Sequence, residues 1–243
     1  MQQLINESCT AALTRLKANT VQLTVTSPPY DNLRTYNGNN ADWNETVWQA
    51  CIVELYRVTK PGGVVVWIVN DATINGSETG TSFQQALWAK ACGFNLHDTM
   101  IYYKGCMRFP DQHRYYNSFE YMFVWSKGQP SVFTPIADRP NKRAGETKTI
   151  HIERQCDGSV RRRHKPHVIG KYGVRFNVWY IPTGHNKSAS DPLAHQHPAI
   201  FPEALVRDHI VSWSKRGQIV LDPFMGSGTT GKMARNGKAI YRD

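Results

Sequence analysis

Ser27, Pro28, Pro29 and Tyr30 follow an apolar run, Val21 to Val25, whose length and β-branched residues read as a buried strand. Two consecutive prolines fix their own φ and hold the preceding residue extended, so a stiff tetrapeptide leaves the strand's carboxyl end. A hydroxyl, a carbonyl and an aromatic ring then stand at the edge where open α/β sheets take ligands. Oxygens accept N–H bonds and a ring stacks on a flat face, so the set suits a planar heterocycle carrying an amino group. A lone Pro-Pro-Tyr is equally an ordinary stiff turn without chemistry. What separates the two is a second segment far along the chain.

That segment runs from Ile219 to Thr230: a short apolar strand, then Asp222-Pro223-Phe224-Met225, then Gly226-Ser227-Gly228-Thr229-Thr230. A helix is expected over Thr230 to Asn236, which completes a nucleotide-binding βα unit. Glycines let backbone approach a ligand closely, and the helix offers unpaired N–H groups at the positive end of its dipole. Ala239-Ile240-Tyr241 reads as the next strand. It would place Asp243, 21 positions after Asp222, where a ribose-binding carboxylate belongs. An adenosine-containing cofactor is the expected ligand.

Three cofactor classes compete for this turn. Gly226 to Lys232 nearly spells a phosphate-binding loop, but Met233 stands where a magnesium-binding Ser or Thr is required. Gly226, Gly228 and Gly231 also spell G-x-G-x-x-G, which a nicotinamide dinucleotide fits locally. S-adenosylmethionine needs no phosphate cradle, and it alone accounts for the proline segment, as the site of a methyl acceptor.

Together the two segments resemble the DNA amino-methyltransferases, which methylate the exocyclic nitrogen of cytosine or adenine. The resemblance covers most of the chain. The family's S/D/N-P-P-Y/F/W tetrapeptide corresponds to Ser27 to Tyr30, and its D-P-F-x-G-S-G-T-T loop to Asp222 to Thr230. Finding the catalytic motif first and the cofactor motif last is similar to the permuted, β-class order. Arg57-Val58-Thr59-Lys60-Pro61-Gly62-Gly63 and Glu120-Tyr121-Met122-Phe123-Val124-Trp125-Ser126-Lys127 match further landmarks. His197-Pro198-Ala199-Ile200-Phe201-Pro202-Glu203 resembles the segment at the cofactor's methionine end, which marks His197 and Phe201 as cofactor contacts and leads into a helix over Glu203 to Ser214. The chain departs from the pattern where relatives carry an acid in a short G-D-x-x-x-x-L segment: Ser8 stands there, with Glu7 beside it.

The formal net charge is +10, as expected of a chain that meets nucleic acid. Its distribution matters more. Between Arg139 and Arg175 eleven Lys or Arg face three acids. Arg139, Lys142, Arg143, Arg161, Arg162, Arg163, Lys165 and Lys171 are the expected DNA contacts, since clustered cations gain by neutralising phosphates and releasing counterions. The plain alternative is a basic loop that touches nothing specific. The resemblance identifies this interval as the target-recognition insertion, positioning phosphates and reading base edges.

A chain of 243 residues, 40% of them hydrophobic, suits one α/β domain with an insertion. The expected architecture is a Rossmann-like, doubly wound, mainly parallel sheet: residues 1–127 as the catalytic half, 128–190 as the basic insertion and 191–243 as the cofactor-binding half. Strand Val21–Val25 feeds the catalytic loop, and polar residues Asp31 to Asn44 form a loop able to close over it. A helix spans Trp43 to Val58, stopped by Lys60-Pro61-Gly62-Gly63, and strand Val64–Val69 follows. Thr81 to Ala91 is the next helix, ended by Gly93, and Thr99–Tyr103 and Tyr121–Trp125 are strands, the latter in the core. The longest strongly apolar run is too short to cross a membrane and the N-terminus lacks signal-peptide character, so a cytoplasmic protein is expected. Five widely spaced cysteines without a C-x-x-C pair indicate neither disulfides nor zinc, and no metal is expected despite His195 and His197.

The resemblance implies direct methyl transfer to an exocyclic amine of a base flipped out of duplex DNA, in a restriction-modification setting. Tyr30 would stack on the base, while Ser27 Oγ and the Pro28 carbonyl accept its amino hydrogens. Carbon-5 methylation would need a cysteine nucleophile, typically after proline in that family, and none of the five follows one. Ser at the first motif position favours N4 of cytosine, with N6 of adenine as the alternative. A decayed, non-catalytic DNA-binding chain on the same fold is the reading from another class. No membrane partner is expected, and self-association as a homodimer stays open.

Overall fold

The computed structural model describes residues 3–31, 43–105, 112–184, 188–189 and 200–240. In chain order the elements are α1 (Cys9–Thr14), β1 (Val21–Thr26), α2 (Glu45–Val58), β2 (Thr59–Val69), β3 (Thr73–Ile74), β4 (Ser77–Glu78), α3 (Thr81–Ala91), β5 (Asn95–Tyr103) and β6 (Phe119–Ser126). There follow β7 (Arg139–Pro140), β8 (Thr147–Arg154), β9 (Val160–Val168), β10 (Tyr172–Gly173), β11 (Val178–Tyr180), α4 (Glu203–Trp213), β12 (Val220–Leu221) and α5 (Thr229–Ile240). The chain forms two compact units, one of 1–134 with 177–243, the other Pro135–Phe176.

The larger unit is built on a six-stranded sheet in the order β11-β5-β6-β2-β1-β12. β12 pairs parallel with β1, β1 with β2, and β11 with β5, whereas β6 runs antiparallel to both β2 and β5. One reversed strand thus interrupts a sheet otherwise of one direction, the mainly parallel, doubly wound arrangement expected. Every residue of β1 is buried, and so is β2 from Gly63 onward, which is why both strands read as near-continuous apolar runs without alternation.

On one side of the sheet Leu13 of α1, Cys51, Ile52 and Leu55 of α2 and Ala86 and Ala89 of α3 join Val65, Trp67, Val69, Phe123 and Trp125 in one core. Trp67 stacks on Trp125 with centroids 5.3 Å apart, a contact worth about 1 kcal/mol beyond its buried area. Its indole N–H, which burial would otherwise strand, donates to Gln85 Oε1 at 2.8 Å. α4 packs against β1 and β2 and also against α5. Its His209 is fully buried, stacked on Trp179 of β11 at 4.5 Å.

Several boundaries differ from expectation for local reasons. α2 starts at Glu45 rather than Trp43 because Asn44 Oδ1 accepts from Val47 N at 3.2 Å and caps it. β2 begins at Thr59 rather than Val64, since Thr59 already pairs with Val21 across an irregular register. α3 matches its expected span; Gly93 follows it at φ +109°, where a Cβ would lie 2.8 Å from the Tyr56 ring. One expectation is corrected: Ala239 and Ile240 belong to α5, not to a strand. Extending a helix satisfies one further backbone bond per residue, whereas a three-residue strand must first find a partner. Tyr241 lies outside the described residues.

In the smaller unit β7 pairs with β10, and β8 with β9 as an antiparallel ribbon. The ribbon sets Arg161 opposite Glu153, Arg162 opposite Ile152 and Arg163 opposite His151, with a register shift between Lys148 and Ile150. Its residues are mostly exposed, Ile152 at 67% and Val160 at 51% among them. The basic run is therefore a paired strand rather than an open loop.

Candidate active site

β1 and β12 are parallel neighbours, Leu23 opposite Val220 and Thr24 opposite Leu221, so both their carboxyl ends emerge at one edge. The Ser27–Tyr30 loop leaves the first strand and the Asp222–Thr230 turn leaves the second. A side-chain bond ties them: Thr26 Oγ1 donates to Asp222 Oδ1 at 2.6 Å. Thr230, at the start of α5, donates to Asp222 Oδ2 at 2.6 Å, and the Phe224 N–H to Oδ1 at 3.0 Å. Burial pushes the Asp222 carboxyl pKa upward, and these bonds from Thr230, Thr26 and Phe224 pull it back. The carboxylate thus holds the turn's shape and locks it to β1.

Beyond Asp222, Phe224 meets Trp43 edge-on at 5.1 Å and Trp67 at 6.1 Å, which seats the turn on the core. Gly226 and Gly228 take φ of +51° and +82°, the left-handed region that side chains resist. A Cβ at Gly228 would meet nothing within 4 Å, so the glycine serves backbone conformation and leaves space over the turn. Ser227 Oγ lies 3.3 Å from Thr229 Oγ1 at the first turn of α5. Met233, where a phosphate-binding loop needs a magnesium ligand, is buried on α5. Open space, left-handed glycines and a helix N-terminus fit an adenosine-bearing ligand without phosphates.

On the proline side, Ser27 Oγ lies 2.7 Å from Tyr30 Oη, and Tyr30 Oη donates to Glu120 Oε2 at 3.0 Å. Because β6 is reversed, its beginning, not its end, reaches this edge, and that delivers Glu120. Glu120 Oε1 pairs with Lys104 Nζ at 2.5 Å, just past the end of β5. Asp71, after β2, caps α3 by accepting from Ser82 N at 2.8 Å and Ser82 Oγ at 2.6 Å. Thr79 Oγ1 donates to Asp31 Oδ2 at 2.7 Å, anchoring the residue after Tyr30.

Phe201 is half-buried just before α4, whose Glu203 pairs with Lys232 of α5 at 2.7 Å. His197, Asp243 and most of the Asp31–Asn44 loop lie outside the described residues. Of the expected DNA contacts, Arg139 stacks on Phe176 at 4.5 Å, Lys171 on Tyr172 at 5.4 Å, and Arg143 pairs with Glu146 at 2.6 Å. Arg161, Arg162 and Lys165 are exposed on β9. Sequence reasoning missed Thr26, Lys104 and the role of Glu120. In the sequence Glu120 is only the head of an aromatic landmark, and its contact depends on a strand direction that local patterns do not carry. Among the described residues no three His, Cys, Asp or Glu side chains gather to hold a metal, and no helix is long and apolar enough to cross a membrane.

A sheet with one reversed strand, a glycine turn opening a helix and a proline loop beside it define a Rossmann-like methyltransferase. The family of DNA methylases acting at N6 or N4 matches residues 21–241. The orphan methyltransferase M.BamHII of Bacillus amyloliquefaciens is 59% identical over 216 residues, covering 88% of this chain and 80% of that protein. The type II methyltransferase M.ScaI of Streptomyces caespitosus is 27% identical over 230 residues, covering 88% of this chain and 66% of the relative. Among solved structures, the cytosine-N4-specific PvuII DNA methyltransferase superposes with a TM-score of 0.65 at 16% identity, covering 95% of this chain and 76% of that one. A DNA modification methylase of Thermus thermophilus, complexed with S-adenosyl-L-methionine, gives 0.55 at 19% identity over 93% of this chain and 82% of the other. The chain belongs to the N6/N4 DNA methylase family, and S-adenosylmethionine is its methyl donor.

Proposed function

We propose that this protein methylates N4 of a cytosine flipped out of duplex DNA. The observation that carries the reading is the bond between Thr26 and Asp222, which fastens an amine-accepting loop to a cofactor turn at one sheet edge. S-adenosylmethionine, when bound, supplies an electrophilic methyl group on a sulfonium. The chain's own residues do the rest. Gly226, Ser227, Gly228, Thr229 and Thr230 hold the adenosine end, Phe224 and Asp222 shape the turn, and His197 and Phe201 are assigned to the methionine end; with Ala239 and Ile240 in α5, Asp243 loses the strand that marked it for the ribose. Tyr30 and the stiff Pro28-Pro29 pair fix the plane of the extruded base. Ser27 Oγ and the Pro28 carbonyl accept its two amino hydrogens, which draws the nitrogen lone pair out of conjugation and aims it at the methyl. The methylated, cationic nitrogen is acidic enough to lose its proton to nearby acceptors or water.

In this reading the larger unit is the transferring body and the smaller, Pro135–Phe176, the DNA-holding insertion; of the 128–190 expected for it, β11 pairs into the central sheet instead. Arg139, Lys142, Arg143, Arg161, Arg162, Arg163, Lys165 and Lys171 contact DNA, and an exposed two-stranded ribbon is of a size that a major groove admits. Cytosine is preferred over adenine on Ser27, and the likeness to a cytosine-N4-specific enzyme points the same way. Incubating the protein with duplex DNA and methyl-labelled S-adenosylmethionine, then digesting to nucleosides, tests this. Labelled N4-methylcytosine is expected. N6-methyladenine would overturn the choice of base, and unlabelled DNA the activity.

A further inference from the structure

We propose that Glu120, held by Lys104, is a positioning residue that sets the direction of the hydrogen bonds at Ser27 and so leaves its oxygen an acceptor. Hydroxyls are ambivalent: each has one proton to give and lone pairs to receive with. A serine rotor facing an amine can therefore point its own proton at it, which repels the incoming N–H. A carboxylate is not ambivalent, because it only accepts. Tyr30 Oη–H is committed to Glu120 Oε2 at 3.0 Å, and Lys104 Nζ, 2.5 Å from Oε1, holds the glutamate side chain in that place. The phenol oxygen is then left with lone pairs only toward Ser27 Oγ, 2.7 Å away, so Ser27 must donate to it. The serine proton is consumed in that bond, and the lone pairs of Oγ remain for an exocyclic N–H.

The fold supplies the parts without strain. Tyr103 pairs with Phe119 and Tyr102 with Glu120 across β5 and β6, and Lys104 N donates to Ser118 O at 2.8 Å, so lysine and glutamate start from adjacent backbone. Their side chains are 11% and 14% exposed, which weakens solvent competition for the pair. Neither residue touches the amine. They act through Tyr30, which acts through Ser27.

This inference rests on the reading that Ser27 faces the amine. Its test is steady-state methylation by the full chain carrying Glu120→Gln. That substitution keeps the shape but supplies an N–H that can donate to the phenol oxygen and reverse the chain of bonds. The turnover number is expected to fall about ten- to a hundredfold, the range for a hydrogen bond to a charged group, with KM for DNA and calorimetric affinity for S-adenosylmethionine within about twofold of wild type. In a Ser27→Ala background the same substitution should cost nothing further, because the oxygen it orients is gone. Wild-type turnover in Glu120→Gln overturns the inference, and so does an undiminished loss in the Ser27→Ala background, which a merely structural role would give. If Glu120→Gln does not fold, Tyr30→Phe, which removes one oxygen and keeps the ring, decides the matter on the same two readouts. A wild-type chain that methylates no DNA would instead sink the reading beneath.

Discussion

Replacing Thr26 by Val isolates the link between the two loops. The side chains are nearly equal in volume and position 26 is fully buried in β1, so a β-branched methyl fits without a cavity. What disappears is the hydroxyl that donates to Asp222 Oδ1 at 2.6 Å. A hydrogen bond to a charged acceptor is worth about 1.5–3 kcal/mol, and the carboxylate keeps its bonds from Thr230 and Phe224, so the net loss should be about 2 kcal/mol. For a domain of this size that lowers Tm by about 4–8 °C. The sign with pH follows from the raised pKa of Asp222. The folded chain binds this proton more readily than the unfolded one, so the associated stability is present below the unfolded carboxylate value and is lost as pH rises through the folded value. Removing a bond that favours the charged form raises the folded value further. The Thr26→Val deficit should therefore be full at neutral pH and shrink once Asp222 is protonated in both proteins. Thermal melts followed by circular dichroism from neutral pH downward measure this. A Tm within about 1 °C of wild type at neutral pH, or a deficit that grows on acidification, would refute the reasoning.

Neutralising Arg161, Arg162 and Arg163 together should weaken DNA binding and lower the slope of log K against log salt by up to about 2.7, at ~0.9 per phosphate contact; titrations at several salt concentrations read it. Gly228→Ala should cost about 1–2 kcal/mol through its φ of +82° although space is open, and should weaken calorimetric affinity for S-adenosylmethionine more than for DNA. Tyr30→Ala and Ser27→Ala should each lower the methylation rate by orders of magnitude, to a residual rate still measurable with labelled cofactor, while gel-shift affinity for DNA persists; full turnover in both would remove them from the reaction.

Much of the larger unit was legible because its signals are local. Strand Val21 to Val25 and the α3 span needed only apolar runs and a glycine stop. The shift of α2 by two residues traces to one asparagine, a cap that outranked the tryptophan before it. Ala239 and Ile240 went the other way: their apolar character suited a strand, but the growing helix claimed them. The motifs located Ser27 and Asp222, yet not the threonine and glutamate that hold them. Those contacts join residues 196 and 90 positions apart, and follow from strand order and direction, which periodicity does not encode. The β8–β9 ribbon was hidden by its charge, which disguised a pairing strand as a solvated run.

The pairing of β1 with β12 has a bearing on how the protein is born. Among the described strands of the sheet these neighbours are the first and the last in chain order, so four others are synthesised between the two walls of the functional corner. Until β12 joins, β1 offers a bare edge and its loop has no opposite wall, so a pairing of high sequence separation is what completes the site.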